Sequence, residues 1–316
     1  MKEYILENDQ LLVKFLDFGG SFTYFGLKED GKNCIANFKN RNDYLNIPGP
    51  YLNALVGPYA GRIKEGKCDG FSLSHEGGHH LHGGKSGISK QYFNVNVIDR
   101  CHAELILNAN HQGDGYPGSV NYKIIYTLQG NKLIIDYCAT PQYRQPLNMT
   151  THFYFNLDQN ASEGIRNHVL HIPSSKRCPI ATSGVPETIE MIEPDSAFDF
   201  KNALTIGQHF DLNPNEFEVT KGFDCPFLLD EPNISLRSNT KTLTITTNAP
   251  SLVVYTANYF DSSMIMDNDM PCDMLSHVAL ECQDAPNGMN IDALLTRYYD
   301  SAHPYTQHSE YQLSIK

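Results

Sequence analysis

The sequence predicts an all-β fold, a large antiparallel β-sandwich, on three grounds. Apolar and β-branched residues alternate with polar ones in short runs, which is the period of a strand with one buried face. Turn-forming residues separate these runs. The 23 glycines and 17 prolines interrupt nearly every window that could hold a 3.6-residue helical period. Many strands with few helices are typical of a sandwich, and such a sheet can offer a concave face as a binding site.

Two segments carry the strand pattern most clearly. Residues 123–138, KIIYTLQGNKLIIDYC, contain two β-rich runs around Gln129-Gly130-Asn131-Lys132, which is a hairpin signature. Residues 234–260 contain three further runs, ISLRS, TLTITTN and SLVVYTANYF, with Asn, Lys or Pro at the breaks. We therefore expect short antiparallel strands joined by turns.

The length and composition indicate one globular domain. A chain of 316 residues could form two domains, but all-β folds often exceed about 200 residues as one unit, so we expect a single domain spanning residues 1–316. The hydrophobic fraction of 41%, with 16 Phe and 18 Tyr, is enough for a sizeable core.

Charge and cysteine content exclude several classes of partner. The net charge of −12 would repel a phosphate backbone, which disfavours nucleic acid and weighs mildly against a strongly anionic substrate. Charges interrupt every apolar run of the N-terminal segment MKEYILENDQLLVKF, and no later stretch approaches about 20 apolar residues, so we expect neither a signal peptide nor a membrane span. The eight cysteines lack C-x-x-C spacing, which favours free thiols. We expect a cytoplasmic protein, and the oligomeric state is left open.

The histidine-rich segment HHLHGG (79–84) is the first candidate for chemistry. Three histidines in four residues suggest zinc, because imidazole is a common metal ligand. The spacing argues against zinc: on a strand His80 and His82 share a face while His79 points away, and no carboxylate or cysteine lies at ligand spacing nearby. We therefore predict no metal. Gly83-Gly84 indicates a tight backbone beside a ligand, and the alternative is a polar loop with incidental histidines.

A second histidine, His152, lies in NMTTHFYFNL (148–157), and Glu281 lies in ALECQ (279–283). The strand period divides the first segment into a polar face with Thr150, His152, Tyr154 and Asn156 and an apolar face with Thr151, Phe153, Phe155 and Leu157. Neutral imidazole and carboxylate are the side chains most easily poised to exchange protons near neutral pH, which favours an acid–base enzyme. A buried structural histidine is the alternative for His152.

Seven segments together match a known family. In chain order they are GPYAGRI (57–63), HLHGG (80–84), DGYPG (114–118), NMTTHFYFNL (148–157), AFDFKNALTIG (197–207), GFDCPFLL (222–229) and ALECQDAPN (279–287). Through them the chain resembles aldose 1-epimerases, also called galactose mutarotases, over nearly its whole length. Each segment alone is weakly specific, but seven in the right order are highly specific.

The resemblance implies a β-supersandwich and the interconversion of the α and β anomers of a free aldose, with no cofactor. Carried over to matching positions, it implies that Glu281 is the base at the C1 hydroxyl and His152 the acid at the ring oxygen. It implies that His82 donates to or orients the ring-oxygen region, and that Arg62 and Asp224 hold sugar hydroxyls. From the residues alone, Arg62 could instead form a structural ion pair and Asp224 could be a turn residue.

Three departures from the family pattern flank these positions. Gly61 stands where the family commonly has Asn, Cys225-Pro226 where it usually has His and a variable residue, and Cys282 where it often has Pro. We expect these changes to affect sugar preference more than reaction type. The adjacency of Cys225 and Cys282 to Asp224 and Glu281 also suggests that oxidation could influence the site.

The sequence contains no Trp, so the apolar face of a sugar would have to pack on Phe or Tyr. The candidates closest to the matched segments are Phe153, Tyr154, Phe227 and Tyr116.

Three other functions remain open. A glycoside hydrolase could use Asp224 and Glu281 as its carboxylate pair. An epimerase of hexose phosphates or modified sugars would need a basic cluster for phosphate, whereas basic residues such as Lys64 and Arg166 are dispersed. A non-catalytic sugar-binding protein is the third. The choice between galactose and glucose is also open, because they differ only at the C4 hydroxyl.

Overall fold

The computed structural model describes residues 1–75, 77–159, 164–268 and 272–316. In chain order the strands are β1 (Glu3–Glu7), β2 (Leu11–Leu16), β3 (Phe22–Leu27), β4 (Leu55–Val56), β5 (Arg62–Lys64), β6 (Lys67–Cys68), β7 (Phe71–Ser72), β8 (His79–Leu81), β9 (Asn94–Val97), β10 (His102–Asn110), β11 (Ser119–Gln129), β12 (Lys132–Pro141), β13 (Gln145–Pro146), β14 (Thr150–Thr151), β15 (Tyr154–Phe155), β16 (Val169–His171), β17 (Lys176–Arg177), β18 (Glu190–Met191), β19 (Asp224–Leu228), β20 (Asn233–Arg237), β21 (Lys241–Thr247), β22 (Ser251–Tyr255), β23 (Val278–Gln283), β24 (Tyr298–Tyr299) and β25 (Tyr305–Ile315). The predicted all-β class is confirmed.

Helices are few and short in the described part of the chain. The α-helices are α1 (Asp43–Asn46) and α2 (Ile206–Leu212), and single 3₁₀ turns span Ile88–Lys90, Gln112–Asp114, Pro214–Phe217 and Gly288–Asn290. Helix α2 begins at a capping box, in which Thr205 and Gln208 satisfy each other's backbone N–H groups. No helix among the described residues has the length and apolar character needed to cross a membrane.

The larger sheet has eight antiparallel strands in the order β16-β20-β21-β25-β12-β11-β10-β9. The predicted hairpin lies at its centre: Gln129 of β11 pairs with Lys132 of β12, and Gly130 and Asn131 form the turn. Gly130 has φ of 58°, a conformation that glycine adopts at little cost. The hairpin prediction is therefore confirmed.

The second large sheet has six strands in the order β15-β23-β22-β19-β17-β18. The three runs predicted within residues 234–260 divide between the two large sheets. Strands β20 and β21 pair in the eight-stranded sheet, whereas the third run crosses to the six-stranded sheet as β22 and ends as a strand at Tyr255. Smaller sheets complete the fold: β1-β2-β3, β13-β24, β14-β4, β5-β8 and β6-β7.

One apolar cluster joins both large sheets and the β1-β2-β3 sheet. The predicted apolar face of residues 148–157 lies in this core, where Phe153, Phe155 and Leu157 are fully buried. Phe153 is at an aromatic junction, with ring centroids 4.8 Å from Phe22 and 5.0 Å from Tyr311. Its position fixes the segment that carries His152.

We predict that Phe153→Ala lowers the free energy of unfolding by about 3–5 kcal/mol, because it removes a buried ring and leaves a cavity. Urea denaturation followed by circular dichroism measures this loss. Ile98→Ala is the matched control, since Ile98 is 56% exposed and its loss should change stability by no more than about 0.5 kcal/mol. Equal stability losses in the two variants would contradict this description of the core.

Candidate active site

A cavity of about 420 Å³ lies over the six-stranded sheet. Its floor comes from alternate residues of four neighbouring strands: Tyr154 on β15, Glu281 and Gln283 on β23, Val253 and Tyr255 on β22, and Asp224 and Pro226 on β19. Residues between these positions, such as Val254 and Cys282, point into the core. The strand period of two therefore gives this sheet one core face and one cavity face.

The alternation of side chains along a strand also determines where Cys225 and Cys282 lie, which follow Asp224 and Glu281 in the sequence. Cys225 and Cys282 belong to the core cluster and are only 2% and 1% exposed. Burial raises the pKa of the Cys282 thiol to about 12, so that it carries little reactive thiolate near neutral pH. Adjacent residues of a strand point to opposite faces, so neither thiol lines the cavity. An influence of these thiols or of their oxidation on the site would act through the core, and it stays a prediction.

The histidines of the HHLHGG segment separate in the structure. His80 contacts the Tyr116 hydroxyl at 2.9 Å, away from the cavity, and His79 contacts the Ser183 carbonyl. Strand β8 ends at Leu81, and His82 adopts φ of 49°, so His82 alone of the three lines the cavity. The expectation that His80 and His82 share a face is therefore wrong.

The His82 ring is oriented by the backbone of Gly61. The Gly61 N–H donates to His82 Nδ1 at 3.2 Å, and the His82 N–H donates to the Gly61 carbonyl at 3.1 Å. Burial, together with the nearby His152 and Arg62, holds the pKa of His82 well below its ordinary value. A neutral ring that accepts at Nδ1 carries its hydrogen on Nε2, so His82 is a hydrogen-bond donor.

The two glycines after His82 form a tight backbone, as predicted, but they do not line the cavity. A Cβ atom at Gly83 would clash with the Gly57 carbonyl, and one at Gly84 would clash with the Asp114 carboxylate. Asp114 accepts hydrogen bonds from the backbone N–H of Ser86 at 2.6 Å and from that of Lys85 at 3.1 Å. Asp114, which lies in the DGYPG segment, therefore fixes the loop that follows His82.

The closest pair of predicted site residues is His152 and Glu281. Nε2 of His152 lies 3.4 Å from Oε1 of Glu281, and both side chains are buried. Burial raises the pKa of the Glu281 carboxyl to about 8, an effect that Asp224 increases and Arg62 opposes. Burial also lowers the pKa of His152 to about 4. Between these values the pair carries one proton more than the carboxylate and the neutral imidazole together.

Two further atoms of this pair are available to a ligand. His152 Nδ1 and Glu281 Oε2 are buried and have no hydrogen-bond partner among the described residues. Buried polar atoms are usually hydrogen-bonded, and functional sites are where exceptions concentrate. The His152 ring stacks on Tyr154 with centroids 4.8 Å apart and lies 5.5 Å from the His82 ring.

Arg62 and Asp224 form the charged side of the cavity. Their closest atoms, Arg62 Nη1 and Asp224 Oδ2, are 3.9 Å apart. Burial raises the pKa of Asp224, and the Arg62 guanidinium opposes this rise. Asp224 is the first residue of β19 rather than a turn residue, and both side chains line the cavity. All five predicted site residues therefore meet in one cavity.

Of the four predicted aromatic candidates, Tyr154 alone lines the cavity. Phe153 and Phe227 lie in the core, and Tyr116 packs in a separate small cluster. The cavity contains other aromatic residues that the sequence analysis did not single out, namely Tyr51, Tyr255, Tyr259 and Phe260. Strand alternation could have identified Tyr255, which is two residues from Val253, but the other three lie in loops.

Within the described residues, no group of three His, Cys, Asp or Glu side chains is arranged to hold a metal ion.

A sequence profile described as aldose 1-epimerase matches residues 2–291. The chain belongs to the aldose 1-epimerase family. An aldose 1-epimerase from Haemophilus influenzae is 33% identical over 308 residues, covering 90% of this chain and 87% of that protein. A galactose mutarotase from Sus scrofa is 27% identical over 305 residues, covering 92% of this chain and 87% of that protein.

Solved structures agree with this family assignment. The crystal structure of galactose 1-epimerase from Lactobacillus acidophilus superimposes with a TM-score of 0.86 at 26% identity, covering 99% of this chain and 94% of that chain. The resemblance drawn from seven sequence segments and the mutarotase-like all-β fold are both confirmed. As a member of the aldose 1-epimerase family, the chain is an enzyme of the isomerase class.

We predict that the His152 ring stays neutral until the pH falls to about 4, because burial disfavours its charged form. Proton–nitrogen NMR spectra of the histidine rings measure this titration, and His152→Asn assigns the signal. His308 is the internal control: burial lowers its pKa, but hydrogen bonds to Asp136 and Glu310 outweigh that effect and raise it above the ordinary value. A His152 signal that titrates together with His308 would contradict the prediction.

Proposed function

We propose that this chain interconverts the α and β anomers of a free hexose, galactose or glucose, by acid–base ring opening and reclosure. The observation that carries the proposal is the buried Glu281 and His152 pair, whose facing atoms are 3.4 Å apart in a cavity of about 420 Å³. A cavity of this volume is within the range of small-molecule sites.

Ring opening requires the C1 hydroxyl to lose a proton while the ring oxygen gains one, so that the C1–O5 bond breaks and an aldehyde forms. Glu281 acts as the base at the C1 hydroxyl, and His152 acts as the acid at the ring oxygen. Rotation about C1–C2 then exposes the other carbonyl face, and reclosure returns both protons. Concerted transfer avoids both an oxyanion and an oxocarbenium intermediate.

The pair has two protonation forms, and each one serves one direction of the reaction. In the protein alone near neutral pH the shared proton rests on Glu281, because burial favours both neutral forms. Transfer of that proton across the 3.4 Å gap gives the Glu281 carboxylate and His152 imidazolium that begin ring opening. After opening, the carboxyl and the neutral imidazole are regenerated, and they are the forms needed for reclosure.

The other three residues bind and orient the sugar in this proposal. His82, a neutral donor at Nε2, supports the ring-oxygen region. Asp224 accepts from sugar hydroxyls and Arg62 donates to them through charge-assisted hydrogen bonds. The tyrosines around the cavity supply apolar surface for the C–H faces of the ring.

The electrostatics favour a neutral sugar over the rival substrates. Among the described residues that line the cavity, Arg62 is the one arginine or lysine, and it already faces Asp224. A phosphate dianion would therefore meet little positive charge. Each of the carboxyl groups that a glycoside hydrolase would use is instead paired with a basic group, Glu281 with His152 and Asp224 with Arg62.

The proposal extends to the chain as a whole. We propose that residues 1–316 act as one domain in the cytoplasm, with a sugar as substrate and with no cofactor, nucleic acid or membrane partner. The apolar cluster shared by both large sheets supports a single unit.

Glu281→Gln and His152→Asn should each lower kcat/KM for mutarotation by about 10²- to 10⁴-fold, since each removes one proton-transferring group. Polarimetry of freshly dissolved α-D-galactose and α-D-glucose measures the approach to equilibrium, and the faster sugar identifies the preference. Glu310→Gln is the matched control, because Glu310 lies on the distant strand β25 and forms an ion pair with Lys132. If the wild-type chain accelerates neither sugar, the proposal is overturned.

A plot of kcat/KM against pH should be bell-shaped, with kcat/KM falling below about pH 4 and above about pH 8. Below about 4 the pair gains a second proton and loses its base, and above about 8 it loses its last proton and therefore its acid. Polarimetry across this range, with the buffer-catalysed rate subtracted, measures the profile. A rate that stays constant from pH 7 to pH 10 would contradict the role of Glu281.

A further inference from the structure

Gln283 is a cavity residue to which neither the sequence analysis nor the proposed reaction assigns a role. It lies on β23 two residues after Glu281, and both side chains therefore point to the cavity face. The side chain is deeply buried at 1% exposure. A separation of two residues places the two side chains about 6.8 Å apart along the strand, a distance that one pyranose bridges through two of its hydroxyl groups.

The amide of Gln283 has one satisfied end and one unsatisfied end. Its Nε2 donates to the Asp284 carbonyl at 3.4 Å, while its Oε1 is buried with no partner among the described residues. Because a carbonyl can only accept, the contact with Asp284 identifies the nitrogen end of the amide. The oxygen end is therefore an unused acceptor in the cavity wall.

Gly61 and Pro286 lie beside the nitrogen end of this amide. A Cβ atom at Gly61 would lie 3.5 Å from Gln283 Nε2 and would clash with the ring of Pro286. On the other side, the Ser251 hydroxyl donates to the backbone carbonyl of Gln283 at 2.6 Å rather than to its side chain. Neither neighbour uses the side-chain oxygen of Gln283.

An unpartnered buried amide oxygen is unfavourable unless a ligand satisfies it. We propose that Gln283 Oε1 accepts a hydrogen bond from a non-anomeric hydroxyl of the bound sugar and so helps to determine which sugar is preferred. This inference rests on the proposed function, which supplies the sugar and places its C1 hydroxyl at Glu281.

The decisive variant is Gln283→Met, which keeps the shape of the side chain and removes both polar atoms. Gln145→Met is the matched control: Gln145 is also fully buried with both amide atoms unpartnered among the described residues, but it does not line the cavity. Circular dichroism melting checks that both variants fold.

Two quantities are measured for the wild type and both variants: galactose affinity by calorimetry and kcat/KM by polarimetry. Each is repeated with the four galactoses that lack the hydroxyl at C2, C3, C4 or C6. We expect Gln283→Met to weaken both quantities about 3- to 10-fold for galactose. We expect that difference from the wild type to disappear for one deoxy sugar, which names the hydroxyl bound, and Gln145→Met to match the wild type.

The outcomes separate this inference from the proposed function. An unchanged Gln283→Met variant, or one that loses the same factor with every deoxy sugar, overturns the role of Gln283 and leaves mutarotation intact. If the wild type binds galactose without accelerating anomer exchange, the proposed function fails and the affinity series alone decides the role of Gln283. If the wild type binds neither galactose nor glucose, both are overturned.

Discussion

The period of two along the six-stranded sheet is the constraint on which the rest of the site depends. Strands β19, β22 and β23 each place one row of side chains in the core and the alternate row in the cavity. A shift of register by one residue would exchange Glu281 with Cys282 and Asp224 with Cys225. The densely packed core therefore stabilises the fold and also sets the strand register that brings Glu281 to within 3.4 Å of His152.

The same packing sets the electrostatics of the pair. Val253 lies directly opposite Glu281 in the sheet, so an apolar side chain flanks the carboxyl group. Burial favours the neutral form of both members, which raises one pKa and lowers the other. Arg62 opposes the effect of burial on the pKa of both carboxyl groups, but it pairs directly with Asp224, at 3.9 Å, whereas Glu281 pairs with His152. In the proposed reaction Glu281 transfers protons and Asp224 binds sugar hydroxyls, although both carboxyl groups lie on the same cavity floor.

Features with a local cause could be predicted from the sequence, and features that depend on distant packing could not. The Gly130-Asn131 hairpin and the apolar face containing Phe153 follow from turn chemistry and strand period, which act over a few residues. Residue chemistry singled out the segments with His82, His152 and Glu281, whereas Arg62, Asp224 and the role of each residue came from the family resemblance. The separation of His80 from His82 depends on a left-handed backbone at residue 82, which periodicity does not encode. The loop aromatics, such as Tyr51, reach the cavity through chain paths that no local pattern specifies.

The departures from the family pattern divide according to the face they occupy. Cys225 and Cys282 point into the core and do not line the cavity, whereas Gly61 and Pro226 line it. At Gly61 the space that a side chain would need is filled by the ring of Pro286, another cavity residue. Any larger residue at position 61 would therefore require Pro286 to move, so the two positions act together in shaping one wall. Among the departures from the family pattern, Gly61 and Pro226 line the cavity, and so does Pro286, which packs against Gly61. We therefore expect differences in sugar preference between this chain and its relatives to arise at these three positions.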